Sequence, residues 1–436
     1  MFEKVSREMM DFIQASPSCY HVVDNFGEML RQAGYEKLEE QDRWKLQEKG
    51  KYYVTRNDSS LIAFQISSRD FSNFQIVASH SDSPTFKIKV NPDILVDGHY
   101  VELNTEKYGG MICAPWFDRP LSIAGKLVVR SREGICTRLV DIGRDLMMIP
   151  NVAIHMDRKL NEGYAYNAQK DMLPLLGDET AKGELDCILA EQSGVREEDI
   201  LASDLFLYNR MPGTVWGANK EFISSPRLDD LQCAYASIRG LLEGGHTGSV
   251  SVCCVFDNEE VGSGTKQGAD STLLQDVLER ICLAMGRDRE DYKRLLANSF
   301  MVSADNAHAV HPHHLDKADP TSRPYMNHGV VVKYNANQKY TTDAVSAAVF
   351  REICRKAEVP VQSYVNRSDV PGGSTLGNLS NRHVSLNTVD IGLPQLAMHS
   401  PYETAGIKDT WYLIQALTAF YSTAIRKKGN GEFSLE

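Results

Sequence analysis

The chain of 436 residues lacks any apolar run approaching the roughly 18 residues that a membrane-crossing helix needs, so no membrane span and no membrane partner are expected. It also lacks a basic excess. Its 47 Lys and Arg stand against 58 Asp and Glu, a net charge of −11, which argues against nucleic acid as a partner. The nine cysteines contain no C-x-x-C pair, and the one adjacent pair, Cys253 and Cys254, falls inside an apolar stretch. Buried reduced thiols are expected rather than a disulfide frame. No G-x-S-x-G is present, which removes the nucleophile turn of α/β serine hydrolases. The opening residues, MFEKVSREMM, mix acids and bases before any apolar stretch, unlike a secretory signal, and a cytoplasmic protein is expected.

What the sequence does contain is the balance of a globular protein, 42% hydrophobic and 24% charged, in a chain longer than one ordinary core accommodates. The first 35 residues have helical periodicity, broken at Ser16-Pro17-Ser18. From Lys51 short β-type runs follow, YYVTR, SLIAFQIS and FQIVASH. After residue 218 strands and helices alternate: LDDLQCAYASIRGLLEGG as helix, SVSVCCVFDNEE as buried strand, a helix from Ser271 to Ala284, SFMVSAD as strand, and a helix from Asp343 to Glu358. QSYVNR and HVSLNTVDIG read as strands and Asp409 to Arg426 as the last helix. This pattern predicts an α/β fold, a mainly parallel sheet flanked by helices. The stretch 91–217 is richer in β-type runs such as KLVVRS and CTRLVDI, and reads as an insertion into a discontinuous catalytic unit, 1–90 plus 218–436.

Five segments end a predicted strand or open a loop with a metal-competent side chain: His80 in ASHSDSP, Asp229 in SPRLDD, Glu260 in DNEEVGS, Asp305 in SADNAH and His399 in AMHSPYE. Such wide spacing excludes a zinc finger but suits a site gathered from several strand ends. Mixed His and carboxylate ligands suit two divalent ions, with a carboxylate such as Asp229 able to bridge them through its two oxygens. In the pair Glu259-Glu260, one carboxylate can bind metal while the other, Glu259, serves as general base. His80-x-Asp82 adds a carboxylate able to orient the imidazole. Taken singly, each feature has an ordinary alternative in solvated side chains.

The segments ASHSDSP, SPRLDDL, DNEEVGS, SADNAHAVHP and PQLAMHSPYE, in this order, resemble the motifs of the M18 metallopeptidases, the aspartyl aminopeptidase family, as do GGMICAPWFDRPLSIAGKL and NVAIHMDR in the insertion. The resemblance implies His80, Asp229, Glu260, Asp305 and His399 as ligands of two ions, most often zinc, with cobalt and manganese as alternatives. It implies Glu259 as base and Asp82 as the residue orienting His80. It further implies a β-rich dimerisation domain, dimers assembled into a homo-oligomeric dodecamer, and His155 reaching towards the partner's active site. Peptides with a free N-terminus are the implied substrates, with Asp or Glu first, and neutral residues such as leucine as the alternative.

In HAVHPHH, a second metal site at His311, His313 and His314 is outweighed by an exposed loop, whereas His308 is read as a wall of the substrate pocket. PGGSTLGN lacks the Gly-Lys-Ser/Thr ending of a phosphate loop, so Gly372 and Gly373 are read as letting backbone amides approach the scissile carbonyl or the metals. Lys333 in GVVVKYN resembles a family lysine that meets an acidic substrate side chain, a reading held equal with that of a snorkelling surface lysine. Two rival functions stay open: another co-catalytic hydrolase such as a deacetylase or carboxypeptidase, and a catalytically silent metal-bound scaffold, which would not need Glu259.

Overall fold

A computed structural model describes residues 1–245 and 247–436. Nine strands form a mixed sheet whose centre is parallel: Val250–Phe256, Phe74–His80, Phe300–Ala304 and Asn387–Gly392 lie side by side in one direction. Every residue of the first three is buried. That explains why they read as unbroken apolar runs, since alternate side chains enter two different cores. On one face Cys253 and Val255 pack with the helices Phe2–Gln14, Cys19–Gln32, Leu228–Glu243 and Asp409–Ser422. On the other, Val252 and Cys254 pack with Leu273–Ala284 and Arg289–Ala297. All nine cysteines are free thiols, six of them buried. Among the described residues no helix is long and apolar enough to cross a membrane.

A second, six-stranded antiparallel sheet is built from Thr85–Val96, Tyr100–Tyr108, Leu121–Ser131, Gly134–Asp141, Leu175–Asp178 and Ile200–Asn209. It has its own core, including Phe86, Trp116, Ile123 and Leu207. The strand Thr85–Val96 runs through residue 90, so the sheet begins before the boundary read from the sequence. At the far end, Thr214–Trp216 leaves this sheet and pairs with Phe222–Ser225.

That pair belongs to a five-stranded sheet completed by Glu403–Gly406, Pro394–Leu396 and Ala307–His308. Sequence patterning misses it because its strands are two to four residues long, too short to display a period of two. The last helix also ends earlier than expected, at Ser422, and Ile425–Gly429 folds back on Glu432–Leu435 as a hairpin. Arg426 and Lys427, both good helix formers, conceal that change in the sequence.

Candidate metal centre

Three adjacent parallel strands deliver the acidic and imidazole groups to one edge of the large sheet. His80 is the last residue of Phe74–His80, Glu259 and Glu260 lie in a short turn after Val250–Phe256, and Asp305 immediately follows Phe300–Ala304. The carboxyl ends of neighbouring parallel strands are where open α/β sheets gather their sites. Asp229 enters from the first turn of Leu228–Glu243, where the Asp229–Asp230 peptide is cis. His399 enters from the loop between Pro394–Leu396 and Glu403–Gly406.

The carboxylate of Asp229 faces two separate donor sets. Its Oδ1 lies 3.6 Å from His80 Nε2, which is also 3.9 Å from Asp305 Oδ1. Its Oδ2 lies 3.4 Å from His399 Nε2, which is 3.4 Å from Glu260 Oε2. Asp230 joins the His80 set, and His80 also groups with Glu259 and Glu260; within each of these three groups the ligand atoms fall inside 4.8 Å of one another, the arrangement a metal ion collects. Asp82 organises the rest. Its Oδ1 lies 3.3 Å from His80 Nδ1 and its backbone oxygen 3.1 Å from the same nitrogen, which leaves Nε2 turned towards Asp229 and Asp305. The same carboxylate accepts the backbone N–H groups of Glu259 and Glu260, at 3.1 and 3.2 Å, and the Tyr108 hydroxyl at 2.8 Å.

Divalent cations fit this cluster on two grounds. Asp229 Oδ1 and Glu260 Oε1 are buried and accept no hydrogen bond, a costly state for a carboxylate unless a cation serves it. Six carboxylates, those of Asp82, Asp229, Asp230, Glu259, Glu260 and Asp305, also crowd round only two imidazoles and the Lys333 ammonium. The titration of several of them reflects that imbalance, although for Asp229 burial is outweighed by the His399 and His80 imidazoles, which hold the carboxyl below its usual value. Burial pushes Glu259 up to about 8 and raises Asp305 and Glu260. Burial alone would lower His80, but Asp230, Asp229 and Asp82 outweigh it and hold the imidazole well above its usual value. At neutral pH the metal-free site therefore holds protons that cations must displace. Zinc uptake at pH 7 is expected to release at least one proton, and affinity to rise with pH. Calorimetry in buffers of different ionisation enthalpy measures this directly; uptake with no proton release contradicts it.

With that geometry in place, the kinship of the chain becomes decisive. The model of the aminopeptidase I zinc metalloproteases, M18, matches residues 12–421. The chain belongs to the M18 aminopeptidase family. A probable M18 family aminopeptidase 2 of Clostridium acetobutylicum is 48% identical over 425 residues, covering 96% of this chain and 98% of that one. Its counterpart in Pseudomonas aeruginosa is 41% identical over 97% and 99%. Among solved structures, the chain is similar to Ape4 in its complex with Nbr1, with a TM-score of 0.93, 35% identity and coverage of 97% of this chain and 86% of that one. It is also similar to S. cerevisiae mApe1, solved as a dodecamer, with a TM-score of 0.85, 27% identity and coverage of 96% and 97%. The fold expected from the sequence is thus the M18 fold, and the enzyme is a hydrolase of exopeptidase type.

Other residues of this M18 enzyme lie at varying distances from the centre. Lys333 is fully buried, which overturns the snorkelling reading: its strand, Val330–Tyr334, is interior, and its Nζ donates to the backbone oxygens of Asp305 and Asn306, 2.7 and 3.2 Å away. It lies 3.7 Å from Asp305 Oδ2 as well. His308 is exposed in the two-residue strand beyond Asp305, its ring 5.9 Å from that of Tyr364. His155 lies in an exposed loop of the antiparallel-sheet region, between the exposed Ile154 and Met156. At Gly372 a Cβ would meet the side-chain amides of Asn335 and Asn366, 2.8 Å away, whereas at Gly373 it would meet nothing. Neither glycine is thereby brought against the ligand carboxylates. His311, His313 and His314 join no metal-competent group among the described residues.

Sequence reasoning missed three contributors. Asp230 is buried and accepts the backbone N–H of His80 at 3.1 Å. Glu403 accepts the backbone N–H groups of Asp229 and His399. Gly109, at φ 77°, lies against Glu260, where a Cβ would come within 3.1 Å of the glutamate Cβ, so the GGMICAPW segment packs directly on the centre. Each stood inside a quoted motif; for Asp230 the available signal was an acid next to a proposed ligand.

Proposed function

We propose that this chain is a two-metal aminopeptidase that hydrolyses the first peptide bond of unblocked peptides, with Asp or Glu as the preferred first residue. One observation carries the two-ion part: the two oxygens of Asp229 face different His and carboxylate pairs, His80 with Asp305 and His399 with Glu260. Two divalent ions, zinc by the family's description, would polarise the scissile carbonyl and acidify the attacking water. Glu259 is the member of the Glu pair that shares no group with Asp229, though it lies close to His80 and Glu260, and it takes the proton of that water and passes it to the leaving amine. Its elevated pKa in the metal-free cluster marks a carboxylate able to hold a proton in transit. An acidic residue beside the ions reads the substrate's α-amino group, which limits cleavage to the chain end.

For specificity, the buried Lys333 ammonium beneath Asp305 supports an acidic first residue, with His308 at the surface beside it. The antiparallel-sheet region, 91–217 in the sequence reading, serves as the dimerisation domain in this proposal. It exposes Val152, Ile154 and Met156 around His155, an apolar group suited to a second copy of the chain. A dodecameric relative supports a homo-oligomer, and nine free thiols support a reducing cytoplasm.

The test is release of the first residue from matched peptides beginning with Asp, Glu or Leu, and from N-blocked versions, by stripped and zinc-reloaded enzyme. Zinc-restored cleavage of unblocked Asp and Glu peptides is expected; cleavage of blocked peptides instead points to a deacetylase or another hydrolase. Lys333→Met is expected to lower kcat/KM for Asp and Glu peptides about 10- to 100-fold more than for Leu, the effect of losing a charge-assisted contact. An equal loss on all three peptides would confine Lys333 to supporting Asp305.

A further inference from the structure

We infer that Glu403 is a positioning residue that ties two metal ligands together, fixing the main chain of Asp229 and of His399 in the mutual register that the Asp229/Glu260/His399 ion requires. The inference rests on the two-ion reading and extends it to a residue that binds neither ion.

Glu403 opens the strand Glu403–Gly406 and pairs with Ser225, at the end of the strand that leads through Pro226 to Asp229. Its side chain is buried, 2% exposed, and each carboxylate oxygen has one task. Oε2 accepts the N–H of Asp229 at 2.9 Å and Oε1 accepts the N–H of His399 at 2.7 Å. Those two residues are far apart in the chain, yet both must reach the same ion with their side chains. A single rigid carboxylate between their backbones removes the freedom of one relative to the other. His399 needs such a hold, because its φ of 67° is left-handed and a residue with a Cβ stays there only when its surroundings fix it. Burial and then the neighbouring Asp229 carboxylate raise the Glu403 carboxyl above its usual range, a cost that the two N–H donors offset only in part. By contrast, the ion shared by His80 and Asp305 draws only on Asp229 from this arrangement.

A carboxylate is needed for geometric reasons. Glutamine has the same volume but one acceptor oxygen, and its NH₂ would face one of the two N–H groups. Glu403→Gln should therefore keep the fold and release one hold. The experiment is stepwise zinc titration of the metal-free full chain against a chromophoric chelator, wild type beside Glu403→Gln, with thermal melts of both metal-free proteins. Two equivalents are expected for wild type. In the variant, one of the two equivalents should lose about 10- to 100-fold in affinity, as when a ligand's outer partner is removed, while the other changes little. Glu403→Asp, which keeps both oxygens but falls a methylene short, is expected to lose the same equivalent and serves if Gln does not fold. Unchanged affinity at both steps in a folded variant overturns the inference alone. A wild type that takes up fewer than two ions overturns the two-ion reading, and the inference with it.

Discussion

Glu259→Gln is expected to lower kcat by about 10²- to 10⁴-fold while leaving metal content and fold unchanged. The structure separates these quantities. Glu259 groups with His80 and Glu260 but lies in neither donor set of Asp229, and its turn is held through backbone N–H groups that Asp82 accepts, so the amide replacement leaves both of those sets complete. It also removes one charge from an over-acidic buried cluster, which the fold tolerates because burial already raises this carboxyl to about 8. The base acts only when ionised, so activity should fall as pH drops below its pKa. Bound dications favour the carboxylate, which places this acid limb of kcat/KM below about 8 in the wild-type enzyme. The limb and the turnover should disappear together in the variant. Turnover within a few-fold of wild type would assign the proton transfer to another group, and a loss of zinc would show that Glu259 is a ligand.

Asp229→Ala should have the widest effect, because one side chain serves both donor sets. Its oxygens face His80 at 3.6 Å and His399 at 3.4 Å; Glu260 also groups with both imidazoles, but with His80 only within 4.8 Å. Removing an outer partner of a ligand costs about 10- to 100-fold in metal affinity, so removing a shared ligand should cost more than about 100-fold at both positions. Elemental analysis after dialysis is expected to find less than one ion per chain, with turnover lost. Retention of two ions would move the bridge elsewhere in the cluster, to Glu260 or Asp305. The comparison variant is Glu403→Gln, which should weaken one position alone.

Two of the proposed ligands were legible in the sequence for a physical reason. His80 follows FQIVAS and Asp305 follows FMVSA, buried apolar runs against which a short polar cluster at a strand's end stands out, whereas Asp229 opens a helix and His399 lies in a loop. The large sheet was legible on the same basis, since doubly covered strands such as VSVCCVF leave continuous hydrophobic runs. What holds the ligands was not legible. Asp82 grips the Glu259-Glu260 turn and Glu403 grips Asp229 and His399 through backbone N–H groups, and a backbone donor carries no residue identity to be read. Lys333 escaped for a related reason. A lysine ending a valine run suggests a side chain leaving the core, and only the backbone oxygens of Asp305 and Asn306 explain why it stays inside. The five-stranded sheet that carries Glu403 and flanks the His399 loop is assembled from pieces too short for pattern to reveal.

The most direct test of the two-ion account is anomalous diffraction at the zinc edge from crystals of the metal-stripped, zinc-reloaded enzyme. Two peaks are predicted, one among His80, Asp229 and Asp305 and one among Asp229, Glu260 and His399. A single peak, or zinc bound away from Asp229, would contradict it.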